Sequence, residues 1–148
     1  IVGLRYFNVY GTHQSTDAYY TSVINVFLKR VLNGQSPIIH GSGEQTLDFT
    51  HVSDVVRANL AALESDVENE IFNVGYGEEH SLKELAEIII KILDLNIMPE
   101  FVEREVLVTK RRCDNSKLEK MLGVKCKMSL EKGLRELVEH VKHNPEIY

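Results

Sequence analysis

Tryptophan is absent from this 148-residue chain, and cysteine, proline and methionine are sparse, at two, three and three residues. With no paired motif around them, Cys113 and Cys126 exclude a disulfide framework or zinc site and read as packing residues in a reducing compartment. No apolar run approaches the ~20 residues of a membrane span, and no charged start leads into an apolar stretch as in a signal peptide. An excess of positive charge is also lacking. Seventeen basic against 22 acidic residues leave a net charge of -5, which removes any general pull toward nucleic acid or an acidic membrane surface. A cytoplasmic protein is expected, with neither nucleic acid nor membrane as partner, no metal, and any anion site strictly local.

What is present suffices for one core, because 43% of the residues are hydrophobic. Residues 1–11, IVGLRYFNVYG, are rich in β-branched and aromatic types and stop at a glycine, which predicts a central strand buried on both faces. Apolar positions recur every three to four residues from Tyr20 to Leu32, and Asn33-Gly34 ends that helix. A short strand is predicted over 37–40, then a helix capped by Ser53 or Asp54 and running to Leu63. Residues 70–75 form a second apolar strand. Ser81 followed by Glu84 has the spacing of a capping box, and Leu82, Leu85, Ala86, Ile89, Ile90 and Leu93 supply the buried face of the helix it opens. An extended stretch over 99–108 and helices near 116–122 and 130–143 complete an alternating α/β chain.

Several constellations could carry chemistry. Gly75-Tyr76-Gly77 lies between a strand and a helix, as a dinucleotide fingerprint requires. His80 stands where the third glycine belongs, so a plain strand-to-helix turn is the better reading. Asn8 sits in an otherwise apolar strand. It can face a ligand with donor and acceptor, or satisfy loop backbone. Arg104, between Glu103 and Glu105, reads by itself as a surface ion-pair residue, and Lys110, Arg111 and Arg112 as a solvated edge.

LRYFNVYG at 4–11, YTSVINVF at 20–27, SPIIHGSGEQTLDF at 36–49 and RCDNSKLEKMLG at 112–123 together resemble the second half of the extended short-chain dehydrogenases. More closely, they resemble the NAD-dependent nucleotide-sugar epimerases and dehydratases such as UDP-glucose 4-epimerase. The fold this implies is the carboxyl-terminal part of a Rossmann-like doubly wound sheet (1–11 and 70–95) plus a small substrate-binding α/β lobe (12–69 and 96–148). The roles it implies place Tyr6 beside the nicotinamide of NAD and Asn8 against the sugar or phosphates. Backbone amides near Val23 and Ile24 would meet the nucleotide, with Ile39 and His40 lining the base. Arg104, ten residues before Asp114 as in the family's register, would clamp the phosphates.

The resemblance also marks departures. Relatives commonly carry lysine at the position of Val26 and arginine at that of Leu47, and a glycine-aspartate pair where Val106-Leu107 stands. Lys29, one turn beyond Val26, is a candidate replacement cation. In the family's chemistry a tyrosine phenolate removes a hydroxyl proton while NAD takes a hydride. No tyrosine here is followed four residues on by lysine, and the chain opens on Ile1 rather than methionine. The expectation is therefore the nucleotide-sugar side of such an enzyme, inactive alone, with the glycine-rich NAD turn and catalytic tyrosine upstream. The sheet left open would favour a homo-oligomer that covers it. Two other readings remain: a non-catalytic nucleotide-binding or interaction module of the same fold, and a DNA-binding helix-turn-helix built on residues 81–96.

Overall fold

A computed structural model describes residues 1–15, 22–105 and 109–144. The first predicted strand is two. β1 (Val2–Tyr6) and β2 (Val9–Tyr10) are separated at Asn8, whose φ of 34° turns the chain. β1 pairs in parallel with β6 (Glu70–Val74), whereas β2 pairs in parallel with β5 (Thr50–His51). β1 is therefore not buried on both faces: Val2, Gly3 and Leu4 are half-buried, and Arg5 and Tyr6 are exposed. Helix α1 (Val23–Leu32) starts where Ser22 caps it by accepting the N–H of Ile24 at 3.2 Å. The Tyr20 predicted to open that helix lies outside the described residues, as does the Val106-Leu107 loop.

β3 (Ile38–His40) pairs in parallel with β8 (Glu100–Val102), a shorter strand than the extended stretch predicted there. β4 (Thr46–Leu47) lies between β7 (His80–Ser81), antiparallel, and β9 (Lys110–Arg111), parallel. Helix α2 (Val52–Glu64) is capped two or three residues earlier than predicted. His51 rather than Ser53 or Asp54 takes the cap position, its ring accepting the N–H of Ser53. α3 (Leu82–Ile92) carries the predicted capping box with both bonds made, Ser81 N–H to Glu84 at 2.8 Å and Glu84 N–H to Ser81 at 3.1 Å. Such a cap contributes ~1 kcal/mol. α4 (Ser116–Leu122) ends at Gly123 in the left-handed conformation, and α5 (Leu130–His143) is the last described helix. α3 leads into β8 and not into a second helix, which removes the arrangement a helix-turn-helix needs.

Two apolar clusters hold these elements. The larger packs α1, α3 and α5 together through Ile24, Phe27, Leu28, Leu85, Ile89, Leu134 and Leu137. The smaller lies between the β1–β6 pair, α2 and α4, around Ala58, Phe72, Val74 and Leu118. Each fully buried Leu, Ile or Phe contributes roughly 1.5–3 kcal/mol. Both cysteines are buried and unpaired. Among the described residues, no helix is long and apolar enough to cross a membrane.

Candidate nucleotide-sugar cleft

The larger cluster leaves one broad cavity on its flank, of about 700 Å³. A face of α1 forms one wall, because Val23, Val26, Phe27 and Arg30 recur at helical spacing. β3 supplies Ile38 and His40, the β4 approach supplies Gln45, α3 begins it with Leu82, and Arg104 and Glu105 close it from beyond β8. The surroundings are apolar with two guanidinium groups set into them, a combination suited to an organic anion.

Three of the sequence-derived candidates, Val23, His40 and Arg104, come together here. Ile39 does not. A strand alternates its side chains, so with Ile38 and His40 turned to the cavity, Ile39 is driven into the core at 1% exposure. Ile24 is likewise a core side chain, and its N–H is already held by Ser22. Tyr6 and Asn8 stand apart at the carboxyl end of β1. The Tyr6 hydroxyl donates to Asn59 Oδ1 at 3.0 Å, and Asn8 Nδ2 donates to the Asp48 carbonyl at 2.8 Å. Asn8 thus satisfies loop backbone in this structure.

Arg30, Gln45 and Leu82 were not anticipated. Arg30 lies four residues after Val26 on the same helix face, a spacing legible in the sequence. Lys29, the candidate replacement cation, is exposed and does not line the cavity. Gln45 keeps its amide on the His40 carbonyl at 3.4 Å, while its buried Oε1 has no partner among the described residues. Arg104 makes no ion pair with Glu103 or Glu105.

Behind the cavity, a buried carboxylate fixes the surrounding loops. Asp48 accepts the N–H groups of Tyr76 at 3.0 Å, Gly77 at 2.9 Å and Cys113 at 3.0 Å. Burial pushes its pKa up, while those three amides and His80 pull it down. Because Tyr76 and Gly77 direct their amides to Asp48, the Gly75-Tyr76-Gly77 turn has none of these to offer a pyrophosphate. The turn does not fit NAD. Gly75 packs so closely on Cys113 that a Cβ there would lie 2.6 Å from its sulfur. Burial drives the Cys113 thiol up to about 12, which keeps it unreactive. The basic run is exposed, except that Arg112 donates to the Gly77 carbonyl at 2.7 Å.

An α/β chain with parallel strand pairs and a cationic, apolar-walled cleft is the setting of nucleotide recognition, and the comparisons agree. Residues 1–75 match the NAD dependent epimerase/dehydratase family, and the chain belongs to that family. A putative UDP-glucose 4-epimerase of Methanocaldococcus jannaschii is 40% identical over 95% of this chain and 45% of its own length. The crystal structure of a UDP-glucose 4-epimerase from Thermotoga maritima with UDP-glucose superposes with a TM-score of 0.89 at 36% identity, covering 97% of this chain and 46% of that one. A Bacillus cereus UDP-glucuronic acid 4-epimerase in complex with UDP-glucuronic acid and NAD gives 0.82 at 30% identity, covering 95% and 45%. These neighbours are Rossmann-fold enzymes, and the chain spans less than half the length of each.

Proposed function

We propose that this chain holds the nucleotide-sugar side of the cleft in an NAD-dependent sugar-nucleotide epimerase or dehydratase. The observation that carries the reading is the convergence of Val23, His40 and Arg104 on one cavity, since these residues come from three separate segments. Val23, Val26, Phe27 and Ile38 would pack the base and ribose, and the guanidinium fork of Arg104 would take phosphate oxygens. Relatives that bind UDP-glucose or UDP-glucuronic acid support this class of substrate.

NAD, when bound, supplies the hydride acceptor. Tyr6 at the end of β1 would lie beside it, and the Gly75-Tyr76-Gly77 turn, whose Tyr76 and Gly77 amides are taken by Asp48, would not hold its pyrophosphate. The chain alone is therefore expected to bind a sugar nucleotide without turning it over. Supporting its dependence on further protein, Val56, Leu60 and Leu63 form an exposed stripe on α2, and Ile71 is exposed on β6. This face would meet the NAD-binding elements or, in a homo-oligomer, another copy.

A non-catalytic nucleotide-binding module is favoured by one observation, the valine at position 26 in the cleft wall. Calorimetric titration with UDP-glucose, with and without NAD, followed by an assay for interconverted sugar, separates the readings. UDP-glucose binding that does not need NAD, with no turnover by the chain alone, supports the proposal. A folded sample that binds no sugar nucleotide contradicts it.

A further inference from the structure

Resting on the nucleotide-sugar reading, we propose that Arg30 is the second cation of the diphosphate subsite, acting across the cavity from Arg104. Both side chains line the same space, and among the described residues neither is tied to a carboxylate. Arg57 and Arg135, by contrast, are paired with Asp54 and Glu131.

Arg30 is also held in place before any ligand arrives. Its Nε donates to the Ser36 carbonyl at 2.7 Å, which orients the guanidinium plane at the end of α1, and its terminal nitrogens have no partner among the described residues. A donor positioned in advance loses little freedom on binding. Two arginines and Glu105 give the lining a net charge of +1, His40 taken as neutral, against the roughly two negative charges of a diphosphate bridge. With apolar Val26 one turn before it on the same face, Arg30 is the only cation that α1 brings to this cavity.

An arginine in the last turn of a helix could instead serve only that helix, by bonding Ser36 and complementing the macrodipole. Ligands of increasing phosphate content distinguish the two roles. UDP-glucose, UDP and UMP are titrated into the wild-type chain, Arg30→Ala and Arg30→Lys, with thermal melting of each variant to verify folding. The expected result is a loss of about ten- to a hundredfold for UDP-glucose and UDP in Arg30→Ala, with much less for UMP, and an intermediate loss in Arg30→Lys. Equal weakening of all three ligands, or no weakening, overturns the role of Arg30 while leaving the cleft assignment standing. Failure of the wild-type chain to bind any of them overturns that assignment and this inference with it.

Discussion

The carboxylate of Asp48 accepts the backbone N–H of Cys113 at 3.0 Å, joining two segments 65 residues apart. With its bonds to Tyr76 and Gly77, it ties the strand behind the cleft to both the β6–β7 turn and the approach to α4. Asp48→Ala strands three amides at once. A buried unsatisfied group costs ~1–3 kcal/mol, so a loss on the order of 3 kcal/mol or more is expected by urea unfolding. Asp48→Asn, which keeps one acceptor oxygen, should fall between. An alanine variant as stable as wild type would show that these bonds contribute nothing net.

Gly133→Ala tests the packing of α5 on β2. Alanine normally gains about 1 kcal/mol over glycine inside a helix. Here the new methyl would collide with the Tyr10 hydroxyl and lie 2.9 Å from its Cζ and 3.0 Å from His51 Cδ2. Tyr10 is itself buried at 1% exposure and cannot swing away into solvent. The substitution should lower the melting temperature, and a rise would mean that the ring yields easily.

His51 predicts an acid-sensitive fold. Burial lowers its pKa, against the opposing pull of Glu136, 3.8 Å from Nε2, and of Asp54. Below about pH 6.5 an unfolded histidine gains a proton that the folded one resists. The unfolded state is then favoured, so His51's contribution is complete above that pH and is lost as pH falls toward its folded pKa. Its Nδ1 accepts the Ser53 N–H, and a glutamine can imitate that acceptor. His51→Gln should flatten stability against pH between about 7 and 5 relative to wild type. An unchanged slope would assign the sensitivity to other groups.

Ile39 and Arg104 should separate stability from binding. Ile39→Ala removes a core side chain at 1% exposure, for which ~2–5 kcal/mol of destabilisation is expected. Arg104→Ala, at an exposed position, should leave the unfolding midpoint within about 0.5 kcal/mol and weaken UDP-glucose tenfold or more. Reversal of these two outcomes would place Ile39 in the cleft and Arg104 in the scaffold.

Local signals were the legible ones. Ser81 and Glu84 stand three residues apart and make the capping box they announce, the apolar spacing of α3 predicts its buried face, and α5 forms over the residues expected of it. The break at Asn8 was hidden by β-forming neighbours on both sides. Ile39 and His40 were assigned together to the base, although adjacent strand residues face opposite ways. Arg30 was overshadowed by Lys29, yet only Arg30 shares the helix face of Val23 and Val26. The reach of Asp48 could not be read locally, since its partners lie 28, 29 and 65 residues further on.

The most direct test of the nucleotide-sugar cleft is an amide chemical-shift titration of the chain with UDP-glucose in the absence of NAD. Shifts should concentrate at Val23, Val26, His40, Gln45 and Arg104 and spare the α2 stripe at Val56, Leu60 and Leu63. Shifts confined to that stripe, or none in a well-dispersed spectrum, would contradict the placement of substrate between α1, β3 and Arg104.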